Sequence, residues 1–526
     1  MPNVKILSHS EGLQTEILNI VTNISSFLGK DPLDQLEAQI ASEALHDSAE
    51  RCDAPKCHPD TRVAVQDDLY SWIEHGDTAN PHKVKWVTGP AGTGKTSIMG
   101  SLTERCKENG LPVASFFFSA TGSTSRHTKT AFITTIAHQL AQHRQDLKDE
   151  IAAVIEADTT VFKKNLRVQM ETLVLRPLRA VAGGSNAGLR GVIIVDGLDE
   201  CRVKQTDDAT GSGSNASPTP LRRNDEDQLE ILRVLQQASS DSAFPYRILI
   251  ASRPERVFRE FFDPEQNPTF FAPKLDLNEE YDANADISLF LEAHLNRIRR
   301  RYNLRPSWPL PEAIRTLVRN ASGQFIYAAT IIRLLESGHR DPPEALLEAI
   351  LKMGVKAKST PLKQLDVLYS HILLSSPDPL LSVRWICSIT ELDCLSTSYA
   401  SNVHLLLQTD PESSEAEHLL GNLHSLIRIP ALSDQATTRY EFYHKSLSDF
   451  LENPDRCGNL YVEGRDISVF IWDGFVRACA SEFVSASLFV SLSWNESDAG
   501  ILKGAVIPTF HTRTDFLNSW DTFQVS

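Results

Sequence analysis

The sequence has no C-x-x-C pair, no long uninterrupted apolar run, no excess of positive charge and no internal repeat. Each absence closes a class of protein. The eight cysteines (Cys52, Cys57, Cys106, Cys201, Cys387, Cys394, Cys457 and Cys479) are scattered. Paired thiolates of a structural zinc site are therefore missing, and Cys57-His58 near Cys52 lacks the further ligands a metal needs. Reduced thiols are the expectation. The opening residues, Met1-Pro2-Asn3-Val4-Lys5, lack the apolar core of a secretory leader. The apolar stretch Ile467 to Trp494 is interrupted by Asp473, Arg477 and Glu482, which argues against a membrane span. Lys and Arg number 52 against 68 Asp and Glu, a net charge of -16. That balance disfavours a broad nucleic-acid footprint. The expectation is a cytoplasmic chain with no membrane span and no nucleic-acid partner. No period of solenoid or propeller length occurs.

What remains is ordinary globular composition, 41% hydrophobic and 23% charged over 526 residues. That is more than one core usually holds, so about three or four domains are expected. One stretch organises them. Gly89-Pro90-Ala91-Gly92-Thr93-Gly94-Lys95-Thr96 fits G-x-x-x-x-G-K-[ST], the Walker A phosphate-binding loop. Its flanks fit too: Lys83–Val87 reads as a strand and Thr96-Ser97-Ile98-Met99 as the first turn of a helix. Glycines let backbone N–H groups turn inward around an anion, and the helix start adds a positive dipole end. Gly89 to Ser97 are the candidate nucleotide-binding residues. Lys95 reaches the β- and γ-phosphates in this motif, and the Thr96 hydroxyl binds Mg²⁺.

Around this loop apolar runs alternate with helical stripes. Val113–Phe118, Gly191–Asp196 and Tyr246–Ala251 read as strands buried on both faces, and Lys274–Leu277 as a further strand. Helices are expected at Val63–Trp72, Thr130–Gln142, Leu166–Leu178 and Asp225–Gln237. This alternation predicts an α/β fold with a parallel sheet covered by helices. Residues 1–45 read as a helical segment, and the Gly/Ser/Pro/Asp-rich tract at 203–224 as a disordered insert. From residue 284 strands nearly vanish. Helices are expected at Asp286–Ile298, Pro311–Ala321, Gln324–Glu336, Glu344–Met353 and Lys363–Leu374. A helix, a short strand and another helix over Leu419–Phe450 suggest a winged-helix-like unit. Residues 458–526 carry only a weak pattern.

Asp196-Gly197-Leu198-Asp199-Glu200 closes one buried strand. A carboxylate there, beside the phosphate loop, can hold Mg²⁺, and Asp196 is the candidate. Hydrolysis also needs a group that orients or deprotonates water, and Asp199 and Glu200 are both candidates. Ser252-Arg253-Pro254-Glu255 follows the next strand, which brings Arg253 to the same sheet edge. Its planar fork suits phosphate oxygens. Arg126, after Phe118-Ser119-Ala120, is a weaker candidate.

Together these motifs resemble the NACHT domain of the signal-transduction NTPases with numerous domains. His46-Asp47-Ser48-Ala49-Glu50-Arg51 with Cys57-His58-Pro59, Ala114–Ser119, Gln324–Thr330 and Phe442–Leu451 look like the version common in mushroom-forming fungi. The resemblance runs from about residue 45 to 460. It implies a parallel-sheet P-loop NTPase domain of the ASCE type at 46–283, with strands in the order fifth, first, fourth, third, second. A helical domain at 284–360 and a winged-helix-like domain at 361–457 would fold over the nucleotide. It implies a switch that holds ADP or GDP when closed. Exchange for ATP or GTP with Mg²⁺ then opens it, with self-association and a downstream effector protein to follow. His444 matches a winged-helix His that contacts the diphosphate, and Thr61 and Arg62 match residues that contact the base. Two departures stand out. Gly323-Gln324-Phe325 lacks the Pro of a Gly-x-Pro motif, and residues 458–526 show no repeat of the sensor type, as in a shortened member. The alternatives are an NTPase or kinase with steady turnover and a protein that keeps nucleotide without hydrolysis.

Overall fold

The computed structural model describes residues 31–480 except 53, 78–81, 121–122, 183–190, 204–223, 268–271, 338–340, 354–360, 393–398 and 410–413. The expected helical segment before residue 31, nearly all of the 203–224 insert, and the end of the chain from 481 lie outside the described residues.

Five strands form one sheet: β1 (Val84–Thr88), β2 (Val113–Phe117), β3 (Gly191–Asp196), β4 (Tyr246–Ser252) and β5 (Lys274–Asp276). They lie in the order β2-β3-β4-β1-β5, and every pair is parallel. This is the predicted order, read from the opposite edge. The apolar runs are continuous because both faces are covered. Val113 and Phe117 of β2 and Val192 and Ile194 of β3 pack with Ile98, Met99 and Leu102 on one face. Phe116, Ile193 and Val195 pack on the other face with Phe132, Ile133 and Ile136.

The helices that matter for the site are α1 (Val63–His75), α2 (Lys95–Glu108), α3 (Phe132–His143), α4 (Gln145–Ala157) and α5 (Asn224–Ser240). The sequence reading overlooked α4, although Leu147, Ile151 and Ile155 are buried at helical spacing. The expected helix Leu166–Leu178 runs to Val181, its middle turn Met170–Leu175 widened to a π-helix.

Beyond the sheet come α6 (Ala283–Arg301), α7 (Pro311–Ala321), α8 (Phe325–Glu336), α9 (Pro343–Lys352), α10 (Pro361–Leu374), α11 (Pro379–Leu392) and α12 (Ala400–Leu407). A two-stranded antiparallel hairpin follows, β6 (Ile427–Arg428) and β7 (Glu441–Phe442). Then come α13 (Ser446–Leu451) and α14 (Gly464–Ala480). The pattern predicts one short strand here; the hairpin has two, each too short to show a period. The weak pattern after residue 457 resolves into α14, which packs on α11 and α12.

Residues from Ala283 to Ala478 share one hydrophobic core. Within it α6 starts at Asp282, whose side chain accepts from Asn284 N–H, and buries Ile287, Leu291, Leu295 and Ile298 along one stripe. Each such burial stabilises by about 1.5–3 kcal/mol. Trimming Leu291 to Ala would cost about 2–5 kcal/mol.

Candidate functional site

The loop after β1 turns through two glycines in the left-handed region, Gly92 (φ +79) and Gly94 (φ +89). Gly94 caps α2, so Lys95 is its first residue. A Cβ on Gly92 would meet Ile326 Cγ2 at 2.2 Å, so only glycine lets the start of α8 sit on the loop. Ile326 N–H donates to Gly92 O at 3.4 Å. On the other side, Arg62 Nη2 donates to Thr93 O at 3.1 Å. The Arg62 guanidinium also lies 5.1 Å from the Phe325 ring centroid and 3.9 Å from Asp286 Oδ2. Arg62 is thus buried against the loop backbone, while Thr61 bonds back to His58 O at 2.7 Å.

Lys95 Nζ donates to the loop's own carbonyls, Gly89 O at 2.7 Å and Pro90 O at 3.0 Å. Burial lowers its pKa; Asp199 opposes this, Arg253 adds to it, and Asp196 and Glu200 oppose it in turn. Lys95 therefore shares one charged cleft with Asp196, Asp199, Glu200 and Arg253, as the motif spacing predicts.

Asp196 is almost fully buried, and neither carboxylate oxygen has a hydrogen-bond partner. Burial pushes its carboxyl up to about 6, opposed by the Thr96 hydroxyl and the Arg51 guanidinium. Thr96 is near enough to act on the carboxylate without closing a hydrogen bond. An orphaned buried carboxylate asks for a cation. Hard oxygens from Asp196 and Thr96 suit Mg²⁺, which keeps several waters and takes its other ligands from substrate phosphates. Among the described residues no group of three or more His, Cys, Asp or Glu could hold a metal by itself.

Glu200 Oε2 accepts from Ala120 N–H at 2.7 Å, and burial and Asp199 raise its pKa. Asp199 Oδ1 accepts from Arg253 N–H at 3.1 Å. Arg253 Nε lies 3.3 Å from Asp199 Oδ2, and its Nη1 donates to Asp449 Oδ2 at 2.5 Å. Lys445 Nζ stands 4.0 Å from Asp199 Oδ2. The end of β4 is thereby tied to α13, across 196 residues of sequence. Lys445 and Asp449 were missed as site residues. They lie within Phe442–Leu451, but only a long-range pairing marks them.

His444 lies beside this knot. Its Nδ1 accepts from Ser446 N–H at 3.0 Å, which puts the ring proton on Nε2. Burial, with the nearby Arg253 and Lys95 charges, pushes its pKa down to about 3, so the ring is neutral. On the opposite flank Arg126 Nε donates to Phe117 O at 3.2 Å. Arg51, also overlooked, lies with its Cζ 3.7 Å from the Phe117 ring centroid.

A phosphate loop, an acidic strand end beside it and a parallel sheet in this order define a P-loop NTPase fold. A sequence model of the family described as "Nephrocystin 3, N-terminal" matches residues 63–253, from the start of α1 to Arg253. No curated protein matches the chain in sequence. Among solved structures, it is similar to the Aeropyrum pernix ORC2 protein in its ADPNP–ADP complexes. Identity there is 14% and the TM-score 0.31, over 80% of this chain and 96% of that one. It is also similar to Cdc6p from Pyrobaculum aerophilum, at 12% identity and a TM-score of 0.32, over 82% and 99%. The Aeropyrum pernix ORC1 protein in complex with DNA follows at 15% and 0.30, over 77% and 95%. Likenesses this shallow carry no functional argument. One expectation is nevertheless corrected. The absence of a nucleic-acid partner was read from net charge, yet that ORC1 protein and Drosophila ORC are seen bound to DNA. Net charge is a sum over the whole chain and does not exclude a local basic face.

No helix among the described residues is long and apolar enough to cross a membrane.

Proposed function

We propose that this chain is a nucleotide-driven switch of the NACHT type, with slow hydrolysis of ATP or GTP. The observation that carries the reading is the pair of bonds made by Arg253, to Asp199 of the acidic loop and to Asp449 of α13. The group best suited to a γ-phosphate is spent on holding the C-terminal region against the nucleotide site. A triphosphate would compete for Arg253 and loosen that hold, whereas a diphosphate would leave it in place. Neutral His444, with a proton on Nε2, is suited to donate to a diphosphate oxygen in the closed form.

In this reading Gly89 to Ser97 cradle the phosphates, Asp196 and Thr96 hold Mg²⁺, and Asp199 and Glu200 are the candidates that orient water. A bound Mg²⁺ would neutralise charge on the phosphate oxygens. Arg62 acts on the nucleotide through the loop backbone it holds. The domain division that goes with it is 46–283 for nucleotide binding, 284–360 helical and 361–457 winged-helix-like. The proposed setting is the cytoplasm, with self-association on opening and an effector protein as partner.

Turnover of the purified protein tests this. Hydrolysis far below the ~10 s⁻¹ enzyme median, with diphosphate left bound, is expected. Sustained turnover near that median would refute the switch and favour an ordinary NTPase. His444→Ala should also speed diphosphate release in a stopped-flow chase; an unchanged off-rate returns His444 to a packing role.

A further inference from the structure

Arg51 is only 6% exposed. Its Nε has no hydrogen-bond partner, and it forms no ion pair among the described residues. The guanidinium lies on the face of Phe117, and Phe117 is the register partner of Asp196 on the neighbouring strand. Paired residues of adjacent strands point to the same face of the sheet. Arg51 and the Asp196 carboxylate therefore stand side by side, one strand apart, on the face that carries α2.

The placement is secured from outside the site. Asp47 accepts from Lys107 at 2.9 Å, Lys56 donates to Glu104 at 2.8 Å, and Cys57 N–H donates to Ser101 Oγ at 3.1 Å. These bonds hold Asp47, Lys56 and Cys57 along α2, whose first residue is Lys95. A π face offsets part of the cost of burying a guanidinium, but it gives no hydrogen bond. Across from it, the carboxylate of Asp196 is more deeply buried, 1% exposed, and neither of its oxygens has a hydrogen-bond partner. Burial and the neighbouring Arg126 charge lower the Arg51 pKa, and the Asp196 carboxylate opposes them.

We propose that Arg51 is a resident cation on the metal side of the phosphate site, partly standing in for the divalent ion and so setting how far nucleotide binding depends on Mg²⁺. This rests on the reading that Asp196 and Thr96 face the nucleotide's metal. Without a metal, Arg51 and Arg126 supply positive charge to Asp196 on the β2 flank. With Mg²⁺ bound, Arg51 would no longer be needed for that task and would become dispensable for affinity.

The test is a titration of fluorescent ATP and GTP analogues into the full chain, in EDTA and in excess Mg²⁺. Arg51→Gln should lower metal-free affinity about tenfold, the scale of one partly screened unit charge. In saturating Mg²⁺ its affinity should stay within about twofold of wild type. Arg51→Lys, which keeps the charge, should retain most of the metal-free binding. Equal losses in both conditions would mean that Arg51 only holds the fold, and no loss in EDTA would mean that its charge is irrelevant; either overturns the proposal. Should Arg51→Gln not fold, Phe117→Leu removes the π platform at similar apolar volume and should lower only metal-free affinity. A wild-type chain that binds neither analogue in either condition would instead sink the phosphate-site reading itself.

Discussion

The two flanks of the phosphate cleft are built on opposite electrostatic plans. On the β2 side, Arg51 and Asp196 are buried and Arg126 is half-buried, and none of the three forms an ion pair among the described residues. On the α13 side, Arg253, Asp199, Lys445 and Asp449 are joined by contacts of 2.5 to 4.0 Å. Unpaired buried charge is costly, so the first flank gains whenever a polyphosphate and its metal arrive. The second flank is already ion-paired and must surrender contacts to the same ligand. One flank thus rewards occupancy, while the other resists it until the ligand offers something better to Arg253.

The largest effect should come from removing what both flanks share. Lys95→Ala deletes a charge-assisted contact to phosphate and should weaken triphosphate binding about a hundredfold or more. The fold should survive, because Lys95 bonds only to its own loop's carbonyls. Unchanged affinity in a calorimetric titration would leave the two flanks with no common ligand.

The next effect separates them. Asp449→Ala breaks the paired flank alone. With the Asp449 side chain 24% and Arg253 17% exposed, the bond is partly buried. Its loss should cost about 1–3 kcal/mol in urea unfolding. Freed from Asp449, Arg253 should raise triphosphate affinity several-fold, while Arg51→Gln leaves stability nearly as it was. If Asp449→Ala lowers triphosphate affinity instead, α13 assists the ligand and does not compete with it.

The same contrast explains what could be read in the sequence. The sheet was legible because β2 and β3 are covered on both faces and show as unbroken apolar runs. The phosphate loop was legible because its glycines, Lys95 and Thr96 act within a few residues of one another. The Arg253–Asp449 bond was not, since nothing local to Asp449 announces a partner 196 residues away. Arg51 had no local signal either: its chemistry comes from the ring of Phe117 and from Asp196, on two strands that the sequence keeps far apart. The hairpin β6–β7 failed for a different reason, each strand having only two residues. By contrast α4 was a plain omission, its stripe being as regular as that of α6.

The smallest effect would sharpen the comparison most finely, because His444 belongs to the ion-paired flank yet carries no charge. Its folded-state pKa is pushed down to about 3 by burial and by the Arg253 and Lys95 charges. A histidine depressed in the folded state contributes stability that is complete above its unfolded value of about 6.5 and is lost as pH falls below it. Between about pH 7 and pH 5.5 this one ring should remove about 1 kcal/mol. His127, pushed down to about 4 by burial, acts with the same sign, so the wild-type slope alone cannot isolate His444. Urea unfolding of wild type and His444→Gln at both pH values can. The variant should be less stable near pH 7 and lose less on acidification. Parallel losses in the two proteins would show that His444 already titrates normally, and that α13 rests against the site more loosely than its ion pairs suggest.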